Sequence, residues 1–174
     1  MRNLFFTLSL LASCLVLRSP SALTASTADS EPLDQAILQI TGPESLTGFM
    51  QKEFRFQEDE NLFHEEDHWQ SPEEFWQKKS GDCEDYALFA QYVLKKLGYE
   101  VQVVSFYDEF GSGHTVALYQ DHGAYNIIDK DQLLFYKTKT IEESVTQLYP
   151  EWMWGAIAEQ RGSRGWLIQE LHKF

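Results

Sequence analysis

Three runs of β-branched and aromatic residues, EVQVVSFY, GHTVALYQ and AYNIID, follow one another between Glu100 and Asp129. Only the Gly-bearing turns at DEFGSG and DHG separate them. Connections this short join antiparallel neighbours, so the runs predict a meander, with QLLFYK as a candidate fourth strand. The preceding half has helical spacing instead. LDQAILQI and PESLTGFMQKEFRF place apolar residues three and four apart, interrupted at Gly42-Pro43. SPEEFWQKK opens a short helix with Ser71 as N-cap, Pro72 in first position and Glu74 three residues after the cap. A longer helix follows from about Asp82 to Leu97 and stops at Gly98. TIEESVTQLYP returns to helix behind Thr140, and the tail with Trp152, Trp154 and Trp166 covers a core face without a readable period. Helices first and an antiparallel sheet of three to four strands after them make an α+β domain.

The start of the chain sits outside that domain. MRNLFFTLSLLASCLVLRSPSALTAS runs from a basic Arg2 through a short apolar stretch into small residues, the order of a secretory signal peptide over residues 1–26. Residues 27–174 are then the domain, exported to a periplasmic or extracellular space, with no stable membrane insertion after cleavage. Lipidation at Cys14 within LASC ranks second, because the apolar run continues through Leu15, Val16 and Leu17. Losing Arg2 and Arg18 leaves 12 basic against 27 acidic residues, a formal charge of −15 in place of −13. Such a surface repels nucleic acid and favours cationic ligands or divalent metal. Cleavage also leaves one thiol, Cys83, which cannot close an internal disulfide.

Two stretches compete as the reactive centre. NLFHEEDHWQSP contains an H-E-x-x-H, His64, Glu65 and His68, the spacing with which a helix holds zinc. The stretch has no apolar face, however, and Pro72 limits any helix just beyond it. A solvated acidic loop is therefore expected. Cys83 is better placed, in the first turn of a helix whose Ala87, Ala90 and Leu94 share its face. Small alanines allow close approach to a sheet, and the helix N-terminus favours thiolate. Asp82, Glu84 and Asp85 oppose this, so a positive partner is expected. His114 begins one strand and Asp129 ends the next, so the two face each other if those strands are neighbours. A carboxylate that orients an imidazole toward a nucleophile completes a triad. Spacing alone allows equally a core cysteine, a chance histidine and a strand-ending aspartate.

WQSPEEF, GDCEDYA, GHTVAL and YNIID, in that order, resemble the transglutaminase-like superfamily and within it the bacterial transglutaminase-like cysteine peptidases. The resemblance spans roughly Phe54 to Asp129. It implies a papain-like core with Cys83 as nucleophile, His114 as general base and then acid, and Asp129 as the orienting carboxylate. Some relatives bind calcium through acidic residues flanking the cysteine, where Asp82, Glu84 and Asp85 stand here; no cofactor is required for the chemistry itself.

The expected reaction is amide hydrolysis in a protein or peptide substrate through a thioester, an activity of the thiol protease kind. The Cys83 backbone N–H contributes to the oxyanion hole, with Trp69 or Gln70 as second donor. Acyl transfer to an amine uses the same residues. A binding or scaffold module with the same fold is the rival from another class, and the zinc metalloprotease is the weakest reading.

Overall fold

The computed structural model describes residues 31–160 and 166–173. The expected signal peptide and Cys14 lie outside the described residues. Among the described residues, no helix is long and apolar enough to cross a membrane.

The helical half comprises α1 (Glu31–Ile37), α2 (Pro43–Glu53), a one-turn α3 (Asp59–Leu62), α4 (Pro72–Lys78) and α5 (Cys83–Lys96). Two short strands, β1 (Arg55–Phe56) and β2 (Ser80–Gly81), pair in parallel beside α5. Arg55 and Phe56, expected as helix, instead continue past Phe54, whose buried ring packs at 4.2 Å on Phe75 and 4.8 Å on Phe89. Next come β3 (Val101–Tyr107), β4 (Gly113–Asp121), β5 (Ala124–Asp129), β6 (Gln132–Thr138), α6 (Ile141–Leu148), β7 (Trp154–Gln160) and β8 (Trp166–His172). They form an antiparallel sheet of six strands in the order β6-β5-β4-β3-β7-β8.

The expected count of three to four strands is thus too small. The tail doubles back as a hairpin, and β7 pairs with β3, about fifty residues earlier in the chain. Such non-local pairing leaves no local period to read.

Strand alternation divides the core in two. Val103, Ala117, Tyr119 and Ile128 face α2 and α5, where Ala87, Ala90, Phe89 and Leu94 are buried. Val104, Phe106, Val116, Leu118 and Ile127 face the other way, onto α6 and Trp152. Burying a side chain of this size contributes about 1.5–3 kcal/mol. The alanines at positions 87 and 90 let α5 settle onto β3 and β4, as expected, and this carries Cys83 to the upper end of β4.

Candidate active site

Asp85 and Gln70 hold the N-terminus of α5 in place. The buried Asp85 carboxylate accepts from the Gln70 backbone N–H at 2.8 Å, Gln70 Nε2 at 2.6 Å and the Asp82 backbone N–H at 3.1 Å. Gln70 Nε2 also donates to the Ser80 carbonyl at 3.0 Å. Burial raises Asp85 to about 6. Gly81 makes this packing possible, because a Cβ there would overlap Asp85 Oδ2 and lie 2.6 Å from Gln70 Nε2. Gln70 is therefore a buttress whose Nε2 donors are committed, and the Trp69 indole N–H donates to Asp67 Oδ1 at 2.9 Å. Both side chains support the site through these bonds.

The Cys83 thiol donates to Glu84 Oε2 at 3.1 Å. Burial, and next the Glu84 carboxylate, push the thiol well above its ordinary range, while a backbone hydrogen bond from Thr115 pulls it back. The helix N-terminus does not prevail here, and the expected positive partner is not in contact with the sulfur. Glu84 itself rises to about 9, first through burial and then through its hydrogen bond with Asp82, and burial raises Asp82 as well.

His114 Nε2 donates to Asp129 Oδ1 at 2.7 Å. Both side chains are about three-quarters covered. The ladder pairs Ala117 with Ile128, so Asp129 falls level with Val116 and the pair meets diagonally rather than directly across. His114 is opposite Phe106, and their rings meet edge to face at 5.7 Å. Because Val116 and Phe106 belong to the second core, alternation assigns His114 and Asp129 to that face, whereas Cys83 lies over Thr115 on the α5 face. Two members of the expected triad are bonded. The third flanks the same strand end, with Nδ1 as the ring nitrogen left for it.

A carboxylate cluster surrounds Cys83, drawn partly from a segment expected to be only a solvated loop. Potential ligand atoms of Asp82, Cys83 and Glu84 lie within 4.8 Å of one another, as do those of Asp59, Asp82 and Asp85 and those of Asp59, Asp67 and Glu84. Asp59 is buried at the start of α3, its Oδ2 accepting from the His68 backbone N–H. Asp59 Oδ1 and Asp82 Oδ1 are buried without a hydrogen-bond partner. Unsatisfied buried carboxylate oxygens of this kind suit a hard cation such as calcium. Asp85 fits less well than Asp59 and Asp67, since its oxygens already accept three N–H groups.

The H-E-x-x-H segment is not helical. His64 has φ 61°, and His68 turns Nδ1 to Glu65 at 3.2 Å and Nε2 toward Glu74 at 3.5 Å. Among the described residues, the groups able to hold a metal include neither histidine.

A groove opens on the α5 face beside Cys83. Trp69 forms one side and Tyr107 the other, with Trp154 stacked on Tyr107 at 4.2 Å and 17°. The floor is made of the small residues Ser105 and Ala156. Ser105 Oγ is 2.8 Å from Thr115 Oγ1, so the floor runs directly to the strand under the thiol. Tyr107 lies flat because Gly113 faces it; a Cβ there would be 2.5 Å from the ring.

A family described as transglutaminase-like domain matches residues 38–149. The chain belongs to the transglutaminase-like domain family. The matched span runs from the end of α1 to the end of α6 and includes Cys83, His114, Asp129 and the carboxylate cluster. Similar solved structures include calcium-bound LapG of Legionella pneumophila, at 18% identity and TM-score 0.48, covering 78% of this chain and 69% of that one. A candidate cysteine protease of Cytophaga hutchinsonii aligns at 10% identity and TM-score 0.46, over 82% of this chain and 51% of that one. No curated protein matches the sequence.

Proposed function

We propose that this transglutaminase-like domain is an exported, cysteine-dependent amide hydrolase acting on protein or peptide substrates. The observation that supports the reading is the His114–Asp129 pair, bonded at 2.7 Å at the same end of β4 where the Thr115 backbone meets the Cys83 thiol.

In the proposed reaction the Cys83 thiolate attacks the scissile carbonyl carbon and the Cys83 backbone N–H stabilises the oxyanion. His114, fixed through Nε2 by Asp129, receives the thiol proton on Nδ1 and returns it to the departing amine, leaving a thioester that water hydrolyses. In the resting arrangement the thiol proton is directed to Glu84 instead. Contacts of this kind are often incomplete without substrate and tighten in the reacting complex. Asp59, Asp67, Asp82 and Glu84 would hold calcium, with the buried unpartnered oxygens of Asp59 and Asp82 as the fit. Bound calcium supplies the positive charge that the sulfur lacks in this acidic setting.

The test is hydrolysis of a denatured protein mixture by wild type and by Cys83→Ala, read as new N-termini by mass spectrometry. Cleavage by wild type alone supports the reading, and equal cleavage by both excludes it. If an added amine traps the acyl group in place of water, the same centre is a transglutaminase.

A further inference from the structure

Resting on the hydrolase reading, we propose that the groove between Trp69 and the Tyr107–Trp154 stack is a subsite for a lysine or arginine side chain of the substrate, with Glu170 as its anionic end. The cavity is about 520 Å³, roomy enough for a long unbranched side chain because Ser105 and Ala156 leave its floor low. Its walls are aromatic faces, which attract a cation as well as covering its methylene stem. Trp154 is half-exposed, held by its stacking on Tyr107 and available on its other face.

Charge complementarity selects the occupant. No lysine or arginine lines the groove among the described residues, whereas Glu170 lines it with an exposed carboxylate. The Trp69 indole fixes the Asp67 carboxylate on the opposite side. His172, the remaining basic group, is 3.6 Å from Glu170 and on the same row as Trp154.

Register sets where such a side chain lies relative to the scissile bond. Thr115 under the thiol pairs with Ser105, Ser105 with Ala156, and Ala156 with Glu170. Three strand spacings of about 4.8 Å place Glu170 roughly 14 Å from the thiol end of that row. An extended substrate crossing the strands at about 3.3 Å per residue would put its basic side chain within about four residues of the cleaved amide.

The experiment uses the full chain carrying Cys83→Ala, so that binding is read without turnover. Fluorescence anisotropy in calcium-containing buffer compares labelled Gly/Ala heptapeptides with one lysine, norleucine or phenylalanine at each position in turn. Lysine should bind at least tenfold more tightly than norleucine in one register, and this preference should fall below threefold when Glu170→Gln or Trp154→Ala is added. Equal or better binding of norleucine or phenylalanine, a preference that survives both substitutions, or no measurable lysine-peptide binding overturns the subsite. Cleavage of the same peptides by wild type is read separately by mass spectrometry. Binding with the preference but without cleavage refutes the hydrolase reading alone, and cleavage without the preference refutes the subsite alone.

Discussion

His114 and Asp129 meet diagonally across the β4–β5 ladder, Nε2 to Oδ1 at 2.7 Å, with Asp129 level with Val116. The carboxylate therefore fixes both the tautomer and the direction of the ring. Asp129→Asn should keep the fold and lower hydrolysis on the order of 10⁴-fold, while Cys83→Ala and His114→Ala each cost on the order of 10⁶-fold, the pattern of groups that act as a unit. Steady-state rates on a peptide cleaved by wild type check the order. Asp129→Asn at wild-type rate would remove Asp129 from the mechanism.

Burial, and next the contact with Glu84 at 3.1 Å, hold Cys83 as the thiol. Iodoacetamide should alkylate wild-type Cys83 slowly in chelator and about tenfold or more faster in calcium, because a nearby cation favours thiolate. Glu84→Gln removes one metal ligand and, in buffer above about pH 9 where Glu84 is ionised, the charge that repels the thiolate. It should react faster than wild type in chelator and show no further gain from calcium, as followed by the rate of mass increase.

The helices and the first three long strands were legible because their signals are local. Ser71 Oγ accepts from the Glu74 backbone N–H at 3.1 Å and Thr140 Oγ1 from that of Glu143 at 3.1 Å, as their positions before each helix predict. Cys83 lies on the buried face with Ala87 and Ala90 for the same reason. Asp59 and Asp67 were not legible as site residues, since a stretch with six acids in eleven positions from Glu58 to His68 reads as solvated until the fold buries Asp59 and brings the exposed Asp67 near it and Glu84. The groove was hidden too. It forms only when β7 and β8 return beside β3, and neither Trp154 nor Glu170 signals that partner.

Asp59 tests the metal cluster through stability. In chelator, Asp59→Asn should melt at or above the wild-type temperature, because it removes one charge from a buried set of like charges. Calcium should raise the wild-type melting temperature and leave that of Asp59→Asn nearly unchanged. Equal calcium shifts in the two proteins, by differential scanning fluorimetry, would exclude Asp59 as a ligand.

Gly81→Ala should destabilise the domain by about 2–4 kcal/mol in urea unfolding, since the added methyl displaces Asp85 from Gln70 and leaves buried polar groups unpaired. Ser80→Ala at the neighbouring position, where only the backbone carbonyl is used by Gln70, should cost under about 1 kcal/mol. Comparable losses for both would contradict the close-approach account of Gly81.

The most direct test of the central claim is to alkylate the nucleophile with a substrate-like reagent. A peptide chloromethyl ketone with a lysine near the reactive carbon, whose chloride the thiolate displaces to leave a stable thioether, is incubated with wild type, His114→Ala and Cys83→Ala in calcium, followed by intact mass measurement and peptide mapping. One stoichiometric adduct is expected on wild type, mapped to Cys83, forming much more slowly on His114→Ala and absent from Cys83→Ala. An adduct elsewhere, or substrate hydrolysis undiminished in Cys83→Ala, would contradict the claim.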